Sequence, residues 1–249
     1  MIVLHRFDVT EDPCFYLPDR VSHLNYEVVL DLSPAEYEER MNRGYRKFGM
    51  LVFRPDCPGC QECRPIRILA DLFAPNRSQR RALKRNADLQ VRYAEPTVDR
   101  ARLDLYNRYH FWQEHRKNWP PTEKDEEDYR FSFLQNPLPS VEVSVWEGTV
   151  LRAVALTELT PNTVSGIYHY HDPDCTDRSL GKFVMLHTIA LAQRLGKRYA
   201  YFGYYVADCG SLRYKREFRP CEILGTDGIW REEPVLEDTG TPVSVGAAE

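Results

Sequence analysis

The sequence predicts an α+β fold, and three observations carry that expectation. The runs VEVSVW, VLRAVALTEL and VSGIYHYH, between Val141 and His171, are rich in β-branched and aromatic residues. EG and PN turn signals separate them, which is the pattern of an antiparallel meander. Residues 178–195 then place apolar side chains at helical spacing and close at Gly196. Upstream, Ser33-Pro34-Ala35-Glu36 offers an N-cap, a proline at the first helical position and a glutamate three residues past the cap.

Residues 1–30 read as extended segments broken by Pro13 and Pro18. The first helix runs over 34–43, with Gly44 as its left-handed stop. MLVF and IRIL are strand-like, with a cysteine loop between them. Asn76 or Ser78 caps a second helix, and 99–112 carries Leu103, Tyr106, Tyr109 and Phe111 at mostly helical intervals. Residues 115–127 form a loop towards another helix near Tyr129. Past the meander and its helix come an aromatic strand, YAYFGYYV, a short helix, SLRYKREF, and a final strand or hairpin, EILGTDGIW. The division expected from these patterns is an N-terminal domain over 1–95 with the cysteine loop and a basic helix, a second domain over 96–232, and a loose polar tail over 233–249.

Charge is distributed unevenly. Between Arg64 and Arg92 eight cations stand against Asp71 and Asp88, a local net charge of +6 in a chain whose formal net charge is −4. Arg77, Arg81, Lys84 and Arg85 fall on one side of the second helix, with Arg80 beside them. Such a cluster reads as a polyanion footprint, most simply nucleic-acid phosphates, against the plainer alternative of a solvated basic face. Arg213, Lys215 and Arg216 form a second cationic cluster, and Arg178 and Lys182 flank the glycine of RSLGKF. No apolar run reaches the roughly 20 residues needed to span a bilayer, and the N-terminus lacks a secretory pattern. The expectation is a cytoplasmic protein without a membrane partner. Seven cysteines, an odd number, argue against a disulfide framework. Cys57, Cys60 and Cys63 lie at CxxCxxC spacing and Cys14 is available as a fourth thiolate, a donor set that suits zinc or an iron–sulfur cluster.

CPGCQECRPIRI followed by NRSQRRALKRNADL resembles the aminoacyl-tRNA–protein transferases of the N-degron pathway, namely the short bacterial aspartate/glutamate leucyltransferases and their arginyltransferase relatives. YHYHDPD at 168–174, RSLGKF at 178–183, YFGYYV at 201–206 and LRYKREFRP at 212–220 extend the resemblance over roughly residues 10–231. The order βββ-α-β-α-β after a helical lead-in resembles the acyl-CoA N-acyltransferase fold, which this family shares. The family is associated with a cysteine-bound metal centre near the N-terminus. The chain departs from its pattern at Phe15 and Leu17, where relatives often carry further cysteines. RSLGKF has Phe183 where pyrophosphate-binding loops carry a second glycine, so no coenzyme A is expected.

The resemblance implies transfer of leucine, or arginine, from charged tRNA to proteins with an acidic N-terminal residue, marking them for degradation. Aminoacyl-tRNA is then the co-substrate. The reaction is aminolysis of an activated ester: the site must position the amine, accept its proton and stabilise the oxyanion. Tyr168, His169, His171 and Asp172 are the candidate catalytic residues, unranked as bases. Tyr45, Arg46, Lys47 and Arg64 occupy family-like positions for recognising the acceptor's acidic residue. Tyr168, Tyr170, Tyr201, Phe202, Tyr204 and Tyr205 offer alternating aromatic faces for a terminal adenosine, with core packing as the alternative for half of them. The rival functions are an acetyl-CoA-dependent N-acyltransferase and a non-catalytic tRNA-binding protein of the same fold.

Overall fold

The computed structural model describes residues 1–117 and 121–232, so the tail expected over 233–249 lies outside the described residues. Within them the fold is α+β, with one four-stranded and one eight-stranded sheet. β1 (Ile2–Glu11) and β2 (Ser22–Leu30) form an antiparallel pair. α1 (Pro34–Asn42) starts at the expected capping box: Ser33 Oγ accepts from Glu36 N while Glu36 accepts from Ser33 N. Gly44, at φ +89°, turns the chain out of it. β3 (Arg46–Phe48) and β4 (Leu51–Pro55) complete the small sheet in the order β1-β2-β4-β3. One of its faces is closed by α1, where Tyr37 and Met41 pack with Val29 and Val52.

The chain then enters the large sheet. β5 (Arg64–Leu69) is followed by α2 (Arg77–Arg85), β6 (Gln90–Ala94), α3 (Arg100–Lys117) and α4 (Glu126–Tyr129). β7 (Ser140–Glu147), β8 (Val150–Leu159) and β9 (Thr163–His171) are the expected meander; α5 (Leu180–Arg194), β10 (Tyr199–Tyr205), β11 (Cys221–Leu224) and β12 (Trp230–Glu232) follow. The strand order is β12-β11-β5-β10-β9-β8-β7-β6. β5 therefore lies between β11 and β10, and β6 extends the meander beyond β7. The expected division near residue 95 falls between β6 and α3, with strands from both sides of it in one sheet. α5 covers one face through Phe183, Val184 and Ile189, and α3 covers the other through Leu105, Tyr106 and Tyr109.

Two irregularities shape the centre of this sheet. Thr157 pairs with Gly166 but Leu156 pairs with Tyr168, so Ile167 is an extra residue in β9. Such a bulge re-aims every side chain beyond it. Val164 thus packs in the core under α5, while Tyr168 and Tyr170 pack on the α3 side and His169 and His171 lie against Gly181 of α5. The second irregularity is the parallel pairing of β9 with β10, which covers only Thr163–Ser165 against Tyr199–Tyr201. Beyond that point the two strands part.

Candidate active site

The split between β9 and β10 opens into a cavity of about 510 Å³. Residues from both sheet faces line it: His169, Gly181 and Lys182 on the α5 side, Tyr168, Tyr109 and Trp112 on the α3 side. Phe48 and Phe53 of the small sheet form its outer wall.

Arg46 occupies the root of the split. Its Nη2 donates to the Gly166 carbonyl at 2.8 Å, one residue past the last registered β9–β10 pair, Ser165 with Tyr201. On the other side it meets Gly203, whose φ is +74°, and a Cβ there would stand 3.0 Å from Arg46 Nε. The glycine is required both by its backbone angle and by this close approach. Arg46 is buried, yet its Nη1 has no hydrogen-bond partner among the described residues. A guanidinium held this way is a ready receptor for a carboxylate.

Lys215 stands across the cavity, its Nζ donating to the Tyr204 carbonyl at 2.8 Å. Burial, and next the charge of Arg46, push its amine down to about 7. The histidines move further: burial, then His171 and Lys215, lower His169 to about 3, and burial lowers His171 to about 4. Both are neutral imidazoles at pH 7. Tyr168 shares a 2.8 Å hydrogen bond between its hydroxyl and His110 Nε2. Arg116, Lys117 and Lys182 bring the basic side chains lining the cavity to five, and no carboxylate lines it among the described residues.

The structure brings together only part of each expected set. Tyr168, His169 and His171 line the cavity, whereas Asp172 is buried beyond it, accepting from Arg108 at 2.7 Å and Arg152 at 2.6 Å. Of the four residues expected to meet the acceptor, only Arg46 is in the cavity. Lys47, its neighbour on β3, points the opposite way and is fully buried, 2.5 Å from Glu158 Oε1 and 2.8 Å from the Gly49 carbonyl. Tyr45 lies beneath the guanidinium groups of Arg40 and Arg54. Arg64 donates to the Leu224 carbonyl and lines a separate crevice beside the cysteine loop. Among the aromatic residues, Phe202 and Tyr204 line the cavity, while Tyr170, Tyr201 and Tyr205 are core.

The basic helix α2 is capped by Asn76, whose side chain accepts from Gln79 N. Gln79 and Ala82 are buried, leaving Arg77, Arg80, Arg81, Lys84 and Arg85 exposed. Arg80 donates to the Pro75 carbonyl at 2.5 Å and Arg85 to that of Asp177. Arg178 pairs with Asp88 at 3.0 Å and Lys182 with Glu217 at 3.1 Å, so the cations at the start of α5 have carboxylate partners. Arg213 is exposed and Arg216 half-buried on the 3-10 turn that carries Lys215. The sequence groups Lys215 with these surface cations; only the fold turns it inward.

Cys14, Cys60 and Cys63 share one small cluster with Cys209, which the sequence offers only as a scattered thiol. Burial and then the neighbouring Cys57 push the Cys63 thiol up to about 12. Four or five thiols in one neighbourhood suit a thiophilic metal by their chemistry. Their placement does not complete a site: among the described residues no group of three or more His, Cys, Asp or Glu side chains is arranged to hold a metal ion.

Comparison with known proteins adds the lineage. Residues 12–81 match the family model for the N terminus of arginine-tRNA-protein transferase, and residues 101–225 match that for its C terminus. An aspartate/glutamate leucyltransferase of Campylobacter jejuni is 34% identical over 233 residues, covering 93% of this chain and 98% of the relative. One from Pseudomonas savastanoi is 38% identical over 229 residues, covering 87% and 92%. Among solved structures FemX overlaps 74% of this chain and 75% of its own, at 8% identity and a TM-score of 0.43, too low to carry a functional argument. With both family models matched in order and a third of residues shared along nearly its whole length, the chain belongs to the arginine-tRNA-protein transferase family.

Proposed function

We propose that this chain transfers leucine from charged tRNA to the N-terminal amine of polypeptides that begin with Asp or Glu. The observation that carries the reading is the cavity's lining: five basic side chains, of which Lys215 has its amine lowered to about 7, apolar walls and no carboxylate among the described residues. Selecting an arginyl group calls for an acid facing its guanidinium. A leucyl side chain needs only apolar walls, which Trp112, Met185 and Phe202 supply. Arg46 is the receptor for the acceptor's side-chain carboxylate. The parted strands with a helix between them in sequence also support an acyl-CoA N-acyltransferase-like core, here carrying an RNA ester in place of a thioester.

In the reaction the α-amine nitrogen attacks the ester carbonyl; a C–N bond forms and the C–O bond to the terminal ribose breaks. Two protons leave the α-ammonium as it becomes the amide N–H: one reaches the ribose oxygen and the other is released to solvent. Lys215, with its amine near neutrality, matches the α-amine's own pKa of roughly 7.7–8.0 and suits a shuttle between that nitrogen and the ribose oxygen. His169 and His171 are too weakly basic for that task at pH 7 and serve instead as neutral hydrogen-bonding groups. The test is transfer by the purified chain from leucyl- and arginyl-tRNA to peptides beginning with Asp, Glu or Ala. Leucine on Asp and Glu peptides is the expected product; equal use of Ala peptides removes the acceptor reading.

The exposed face of α2 is proposed to hold tRNA phosphates. Removing the charges of Arg77, Arg81, Lys84 and Arg85 together should weaken charged and uncharged tRNA alike. The slope of log affinity against log salt should fall by somewhat under one for each phosphate no longer neutralised. An unchanged slope would leave α2 a solvated face and route the RNA past Lys182 and Arg213.

A further inference from the structure

The small sheet turns a second face towards the cavity mouth, and its aromatic side chains form a continuous row. Phe7 on β1 stacks on Tyr26 of β2, with ring centroids 5.1 Å apart and planes 5° apart. Tyr26 is 5.3 Å from Phe53 of β4, and Phe53 is 5.7 Å from Phe48 of β3. Phe48 then meets Tyr168 at 6.4 Å, inside the cavity. The register sets further apolar side chains beside the row, Val9 with Leu24 on one side and Val28 with Leu51 on the other. All of these residues are only partly buried, whereas Val29 and Val52 on the opposite face are closed off by α1.

We propose that this face is the docking surface for the acceptor polypeptide: the residues that follow its acidic N-terminus lie extended over the Phe48–Phe53–Tyr26–Phe7 row and are favoured when apolar. The inference rests on the leucyl-transfer reading, because it takes the acceptor's first residue to be at Arg46. The row begins where that residue sits, since Arg46 and Phe48 stand on the same side of β3. Three inter-strand steps of about 4.8 Å give the row a length of about 15 Å, enough for four or five extended residues. Its chemistry suits a polypeptide rather than RNA. Near-parallel rings in a row cover one another's faces and present their edges outward, whereas bases stack on open ring faces. Single-stranded RNA also needs cations along its path. Apart from Arg46 this face carries no lysine or arginine in its registered pairs, because Arg6 and Arg54 lie on the opposite face.

The test uses the full chain and two C-terminally fluorescein-labelled peptides, one beginning Asp-Leu-Val-Phe-Leu and one beginning Asp-Gly-Ser-Gly-Ser. Peptide Kd comes from fluorescence anisotropy, and KM and kcat from leucine transfer. Burying one or two apolar side chains corresponds to about tenfold or more in affinity. The apolar peptide should therefore show a Kd and KM about tenfold below those of the Gly/Ser peptide. Phe7→Ala with Tyr26→Ala should abolish that preference, leaving the Gly/Ser peptide's values and the KM for leucyl-tRNA unchanged. Phe7→Leu with Tyr26→Leu should restore it. Equal affinity of the wild type for both peptides overturns the proposal. So does a loss of tRNA affinity in place of peptide affinity, which assigns the face to RNA. Transfer to the Gly/Ser peptide reads the leucyl-transfer assignment by itself, and anisotropy reads the surface even without turnover.

Discussion

Replacing Arg46 by methionine should raise the KM for Asp-initiated peptides by about 10²-fold or more, with a much smaller change in the KM for leucyl-tRNA. Truncating one partner of a desolvated, hydrogen-bonded charge pair costs about 2–5 kcal/mol, which corresponds to about thirtyfold to several-thousandfold. The position meets the conditions for a cost in that range: Arg46 is buried, lines the cavity and has Nη1 without a partner among the described residues. The same substitution removes the charge that, after burial, most strongly pushes Lys215 down. The acid limb of the rate profile should therefore move to higher pH. Arg46→Lys keeps the charge but loses the planar fork, so it should restore the limb's position and only part of the affinity. A loss confined to thermal stability, with peptide KM unchanged in the folded fraction, would make Arg46 only a clamp for the Gly166 carbonyl.

What the sequence makes legible here is what short-range chemistry determines. The Ser33–Glu36 capping box, the Asn76 cap and the turn-separated runs of β7 to β9 each depend on residues a few positions apart. The partners of β5 do not. Arg64–Leu69 pairs with Tyr199–Tyr205 on one side and with Cys221–Ile223 on the other, and nothing local announces either. Arg46 and Lys47 look equivalent as adjacent cations, but successive residues of a strand face opposite ways. One therefore enters the split, and the other is consumed by Glu158, 111 positions along the chain. Asp172 reads equally as a turn residue or a base until Arg108 and Arg152 are seen to claim both its oxygens. The single extra residue at Ile167 reverses which sheet face Tyr168 and His169 occupy.

Replacing Lys215 by methionine should lower kcat at pH 7 by about 10²-fold, the lower end of what a positioned proton-transfer group supplies. The wild-type rate should fall as pH drops through about 7, where Lys215 takes up the proton it must otherwise accept from the substrate. In Lys215→Met the amine has to lose its proton to water. The rate should then rise with pH through the α-amine's own titration, roughly 7.7–8.0, and the gap to wild type should narrow by pH 9. Stability provides a readout that does not depend on turnover. The unfolded chain keeps the Lys215 proton up to roughly pH 10.4, while the folded chain releases it near 7. Between these values the unfolded state binds more protons, so stability rises with pH, by at most about 1.4 kcal/mol per unit from this group. Urea titrations at pH 7 and pH 9 should show that rise in wild type and a smaller one in Lys215→Met. If the variant loses the stability slope but keeps its kcat at pH 7, Lys215 is a buried amine with no part in proton transfer, and the shuttle must be sought among the tyrosines of the cavity.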